Sequence, residues 1–177
     1  PDEKKKRFVD KFKLTPYESN ILVSDIETSK YFEDVIKNSD IKLATNWITG
    51  ELFALLNDIN LEISQSPISS KNLSTLINLI KDGTISGKIA KTVFEIMAIE
   101  SKDPKRIIDE KGLKQQSDPK EIEKIVDDVI KENPKNLELF KSGKDKLFGF
   151  FVGQVMKKTD GKANPKLVND ILKKKLN

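Results

Sequence analysis

The sequence predicts an all-α protein: a helical bundle domain followed by a small tail domain of three to four helices. Three observations predict it. Apolar residues recur at helical spacing through nearly every segment, none of which alternates as a half-buried strand would. Helix start signals repeat along the chain, and the 15 Gly and Pro residues fall mostly at segment boundaries. Charged residues make up 34% of the 177 positions and hydrophobic ones 37%, and the periodic spacing of the latter reads as folded rather than disordered.

Taken in order, Asp2 to Lys13 is a short basic helix with Phe8, Val9 and Phe12 on one face. Thr15-Pro16-Tyr17-Glu18 opens the next, with Thr at the cap, Pro at the first helical position and Glu closing a capping box. Ser24-Asp25-Ile26-Glu27 repeats that box ahead of a helix carrying Tyr31, Phe32, Val35 and Ile36. The longest helix is expected from about Asp40 to Asn57. Its broad stripe of Ala44, Trp47, Ile48, Leu52, Leu55 and Leu56, continued at Ile59, must be covered by other helices. After a loop with Ser64, Ser66 and Pro67, a helix from about Ser70 ends at Asp82-Gly83, and another starts near Ser86. Asp103-Pro104 begins a short helix that stops at Gly112.

The polar stretch Gly112 to Asp118 reads as a linker, giving a helical domain over residues 1–116 and a tail over 117–177. In the tail, Asp118-Pro119, Asn133-Pro134 and Asn164-Pro165 each start a helix, and Asp145 to Lys158 forms another. Gly149 and Gly153, four apart, suggest close packing of that helix against a neighbour, the alternative being backbone contact with a ligand.

Cys and His are both absent. That removes thiol nucleophiles, disulfides, Cys/His metal sites and every Ser-His-Asp arrangement. The chain starts at Pro1 and reads as a piece of a longer protein. No secretory signal is visible, and no apolar run approaches the ~20 residues that cross a bilayer, so a cytoplasmic location is expected.

Net charge is only +4, but it is unevenly spread. From Lys141 to Asn177 ten Lys stand against three Asp, while residues 1–140 carry 22 basic and 25 acidic side chains. Lys157, Lys158, Lys162 and Lys166 cluster around Thr159–Pro165, and Lys173, Lys174 and Lys175 follow at the end. One reading is a solvated lysine-rich terminus. The functional reading is a phosphate-binding patch, with Gly161 admitting a phosphate to the backbone and the helix after Asn164-Pro165 offering free N–H groups. A membrane-surface patch fits less well, because the terminal helix has no Trp or Phe.

Asp82-Gly83-Thr84-Ile85-Ser86-Gly87-Lys88 looks like a phosphate loop. Its glycines are one residue too close, and Ile89 stands where Ser or Thr should follow the Lys. It reads instead as a helix stop and a helix start, though Lys88 and Lys91 lie one turn apart and could both meet a phosphate. Phe148, Phe150 and Phe151 read as core. The carboxylate pairs Glu33-Asp34, Asp109-Glu110 and Asp127-Asp128 read as solvated helix faces beside lysines. Trp47, on the widest stripe, reads as core.

Several blocks resemble the GatB/YqeY family of bacterial tRNA-dependent Asp/Glu amidotransferases. They include Asn46-Trp47-Ile48-Thr49-Gly50-Glu51-Leu52, Ser66-Pro67-Ile68-Ser69 and Asp82 to Lys91. Glu110-Lys111-Gly112-Leu113, Gln116-Ser117-Asp118 and Gly143-Lys144 also match, as do Gly149 to Lys157 and Gly161 to Asn169. The resemblance runs nearly end to end. It implies a part of a carbon–nitrogen ligase that uses ATP and glutamine to convert Glu-tRNA(Gln) or Asp-tRNA(Asn) to the amidated form. It implies an amidase subunit and a small third subunit as partners.

The family's ATP and Mg site lies in a cradle domain that this segment lacks, and its glutaminase site lies in the amidase subunit. No catalytic, cofactor or metal residue is therefore expected here, and no membrane contact. The expected role is to bind the body of tRNA(Gln) or tRNA(Asn) through Lys144, Lys157, Lys158, Lys162, Lys166, Asn164, Lys88 and Lys91. The alternative is a helical protein–protein scaffold without nucleic-acid contact, which has no need of the charge asymmetry.

Overall fold

A computed structural model describes residues 2–177, which are all-α. The helices are α1 Asp2–Phe12, α2 Pro16–Leu22, α3 Ile26–Ile36, α4 Ile41–Asn46, α5 Phe53–Ile59, α6 Ser70–Lys81 and α7 Gly87–Glu100. They continue with α8 Pro104–Lys111, α9 Pro119–Glu132, α10 Pro134–Lys141, α11 Leu147–Lys158 and α12 Pro165–Leu176. The chain forms two compact units, one of residues 1–82 and 90–111, the other of 83–89 and 112–177.

In the first unit the capping box at Thr15 forms as its sequence suggests: Glu18 N–H donates to Thr15 Oγ1 at 3.0 Å, and Thr15 N–H to Glu18 Oε2 at 3.3 Å. The box expected at Ser24 does not form. Asp25 caps α3 instead, accepting from both Thr28 N–H and Thr28 Oγ1 at 2.7 Å. The carboxylate gives each donor its own oxygen, where the Ser24 hydroxyl has a single one to offer.

Asp40 caps α4 by accepting from Leu43 N–H at 2.9 Å. The expected long helix is present, but it is interrupted by a π-helical stretch, Trp47–Leu52, between α4 and α5. Thr45 and Thr49 hydroxyls donate back to the carbonyls of Ile41 and Thr45, a pattern that bends helices. The wider π turn leaves Trp47, Ile48, Leu52 and Leu56 all buried. Phe8, Phe12 and Phe32 form one aromatic cluster, and Trp47 packs on Phe94 at 5.5 Å. The loop before α6 is tied to α3 by the Tyr31 hydroxyl, which donates to Ile68 O at 2.7 Å, and burial pushes that phenol's pKa up.

In the second unit α9, α11 and α12 pack around Ile122, Val126, Val129, Phe151, Val155, Val168 and Leu172, all fully buried. α10 lies against α11, where Phe140 meets Phe151 edge to face at 6.5 Å. Phe148 and Phe150 pack half-buried against this core. The stretch expected to be a plain linker is pinned. Gln116 makes an isolated parallel bridge with Ala163: its N–H donates to Lys162 O at 2.6 Å, and Asn164 N–H donates to Gln116 O at 2.8 Å. Gln115 N–H donates to Thr84 O at 2.8 Å, which holds the 83–89 segment in the same unit.

Candidate nucleic-acid interface

Charge separates along the unit boundaries. The second unit holds 16 lysines against 10 carboxylates, and the first holds 16 basic against 18 acidic side chains. The basic excess is gathered around the turn from α11 to α12.

That turn is built by the end of α11. Thr159 caps the helix, Asp160 adopts the left-handed conformation with φ 52, and Gly161 follows at φ 78. Asp160 N–H donates to Lys157 O at 3.2 Å and Gly161 N–H to Met156 O at 2.8 Å, the paired bonds of a Schellman stop. The buried Thr159 hydroxyl then accepts from Ala163 N–H at 3.2 Å. Asn164 caps α12, accepting from Lys166 N–H at 3.1 Å, while its amide reaches Ser117 Oγ at 3.4 Å.

This bonding narrows the backbone phosphate site expected at the turn. Between Asp160 and Lys166 every backbone N–H has an internal acceptor, and Pro165 has none to offer. Gly161 is buried, with the Lys88 side chain laid across it: a Cβ added there would lie 3.7 Å from Lys88 Nζ. Its glycine is required by the positive φ rather than by a ligand. Asn164 spends its side-chain oxygen on the cap. The turn is an internally bonded mount for ammonium groups.

Four of the expected lysines come to this mount. Lys157 stands at the end of α11, Lys162 in the turn, Lys166 at the start of α12, and Lys88 arrives over Gly161. Among the described residues none of the four makes an ion pair. Lys158 differs, since its Nζ lies 2.7 Å from Glu132 Oε1 on α9. Lys144 lies beyond the opposite end of α11, about 18 Å along the helix axis. There it follows Gly143 (φ 109), which closes α10 with its own Schellman stop. Lys91 belongs to the first unit, where its Nζ lies 3.8 Å from Glu51 Oε1.

The last lysines also divide. Lys175 is held by Glu123 at 2.9 Å and Asp127 at 3.3 Å, and these carboxylates, Glu123 foremost, raise its pKa. It serves to fix α12 on α9. At least one member of each carboxylate pair is likewise engaged in an ion pair: Glu33 with Lys4 and Arg7, Asp34 with Lys37, Glu110 with Lys102 and Arg106, and Asp127 with Lys175.

The two glycines of α11 stand differently from the leading expectation. A Cβ added at Gly149 or Gly153 would meet nothing within 4 Å, and both glycines are exposed. The close helix packing expected of them is absent. Lys146, which no sequence pattern marks, is exposed on the same side of α11.

Comparison with known proteins turns this basic unit into a family assignment. A GatB domain family model matches residues 30–176. The chain belongs to the GatB/YqeY family. It is 64% identical, over 99% of its length, to the aspartyl/glutamyl-tRNA(Asn/Gln) amidotransferase B subunit of Pelagibacter ubique (strain HTCC1062), covering 37% of that protein. The corresponding B subunits of Rickettsia rickettsii (strain Sheila Smith) and Rickettsia bellii (strain RML369-C) are 51% and 52% identical over 99% of the chain, and it covers 36% of each. The chain thus spans just over a third of the length of the curated relatives it matches. Among the described residues no helix of this GatB-family chain is long and apolar enough to cross a membrane.

Proposed function

We infer that this chain is a tRNA-binding, non-catalytic part of a glutamine-dependent Asp/Glu-tRNA amidotransferase, gripping the tRNA body through its second unit. The observation that carries this reading is the set of four lysines without ion pairs, Lys88, Lys157, Lys162 and Lys166, on one internally bonded turn. A rigid mount supports recognition of backbone shape, the main feature that paired RNA offers a protein. The first unit would position this grip. The rest of the polypeptide would bring in the amidase subunit and the small third subunit, and would select tRNA(Gln) or tRNA(Asn).

ATP and Mg chemistry is assigned to that remaining part as well. Among the described residues no group of three or more carboxylates gathers in one place.

The test is retention of total bacterial tRNA by the chain over a salt series. About four phosphate contacts give a slope of log K against log salt near −3 to −4. Absence of binding at low salt would instead favour a protein–protein scaffold, for which Tyr17, Ile26 and Ile99, 75%, 79% and 85% exposed, are the apolar residues on offer.

A further inference from the structure

We propose that the groove between α1 and α2, with Tyr17 in its lining, is a docking face for the part of the B-subunit polypeptide that lies outside this chain. The proposal rests on the reading above only in taking the chain as a piece of such a subunit, and it does not need tRNA binding.

The groove has a volume of about 530 Å³ and lies wholly in the first unit. Val9, Pro16 and Tyr17 are its apolar lining, and Lys5, Lys6 and Asp10 its charged residues. Its walls are fixed to each other: the buried Ser19 hydroxyl on α2 donates to Lys5 O on α1 at 2.9 Å. The groove is therefore a preformed feature of the unit.

α1 is thinly covered. Of its 11 residues only Phe8 is buried. A helix so short is marginal in water unless an apolar face is packed. Phe8 and Phe12 supply one such face against Phe32, where Lys4 and Arg7 also pair with Glu33. Val9 lines the groove and is left half-open. Tyr17 is 75% exposed. A lone exposed aromatic is ordinary on a soluble protein. Here it borders a groove together with Pro16 and Val9, and tyrosine is among the residues that interfaces favour.

The length of the relatives decides the occupant. The chain covers 37% of the Pelagibacter ubique B subunit, so most of that polypeptide lies outside the matched part. Faces between domains of one chain bury roughly 600–1,500 Å² and are more polar than obligate interfaces, which suits a groove of mixed lining. Lys5 and Lys6 make no ion pair among the described residues. With two lysines against one carboxylate, the groove complements a segment that carries an acidic side chain beside an apolar one.

The test places a photo-crosslinker in the full-length B subunit that contains this chain. Tyr17→p-benzoylphenylalanine keeps an aromatic ring at an exposed position, so the fold tolerates it. The assembled amidotransferase is irradiated without tRNA, and the crosslinked residues are located by mass spectrometry. The expected product joins position 17 to a residue of the same polypeptide outside these 177. A crosslink to the amidase subunit, to the small third subunit or to a second copy would overturn the proposal, and so would the absence of any crosslink. Because no RNA is present, this outcome is read separately from the salt series that tests tRNA binding.

Discussion

Removing one buried hydroxyl should unlock the lysine-bearing turn. In Thr159→Val the side chain keeps its shape, so no cavity opens. The Thr159 Oγ1 that accepts from the Ala163 amide at 3.2 Å is lost. Ala163 is fully buried, and its N–H would be left without a partner. An orphaned buried donor costs roughly 1 to 3 kcal/mol. The carbonyls of Val155 and Met156 that receive the Thr159 hydroxyl belong to α11 and keep their places in it, so they add little. A central value of about 2 kcal/mol lowers the midpoint of a unit of this size by roughly 8 to 16 °C.

Trp47 and both tyrosines lie in the first unit, so their fluorescence should not follow this loss. Far-ultraviolet circular dichroism and amide exchange at Ala163 should. Affinity for tRNA should fall while the salt slope holds, because no charge is removed. A change below about 0.5 kcal/mol, with Ala163 still protected, would refute the claim that this hydroxyl holds the turn.

Two further perturbations probe single side chains. Asp40 caps α4, so Asp40→Ala should cost about 1 kcal/mol in urea unfolding. Its carboxyl is held below the usual range, first by the Leu43 N–H and then by Lys81. This contribution should be complete above about pH 4, where the unfolded side chain has ionised, and should fade as pH falls through the lower folded value. Asp40→Asn keeps the cap and should abolish that acid-range dependence; a dependence unchanged in the variant would assign it to other groups. Glu132→Gln frees Lys158 from its 2.7 Å ion pair and should steepen the tRNA salt slope by about 1, and an unchanged slope would show that the pair does not withhold this lysine.

Features written into neighbouring residues were legible in the sequence. The caps at Thr15, Asp118 and Asn164, each followed by Pro, are local chemistry, and the structure places each at the start of its helix. The buried stripe of α9 follows directly from its periodicity.

What escaped depends on residues far apart in the chain. The π turn at Trp47–Leu52 lies inside a stripe so broad that an inserted residue leaves its pattern intact. Gln116 meets Ala163 across 47 positions that contain three helices, and Lys158 finds Glu132 across 26. Lys88 reaches Gly161 only because the 83–89 segment joins the second unit. The spacing of Gly149 and Gly153 is the same whether their face is covered or open, and only the packing decides it.

The central claim is that a small set of lysines on the second unit holds tRNA by its phosphates. Its most direct test is the salt dependence of tRNA binding for the chain and for the variant with Lys88, Lys157, Lys162 and Lys166 all replaced by Ala. The account predicts a slope near −3 to −4 that flattens by about 3 in the variant, with the helical circular dichroism signal retained. An equal slope in the two proteins, or no retention of tRNA by the chain at low salt, would contradict it.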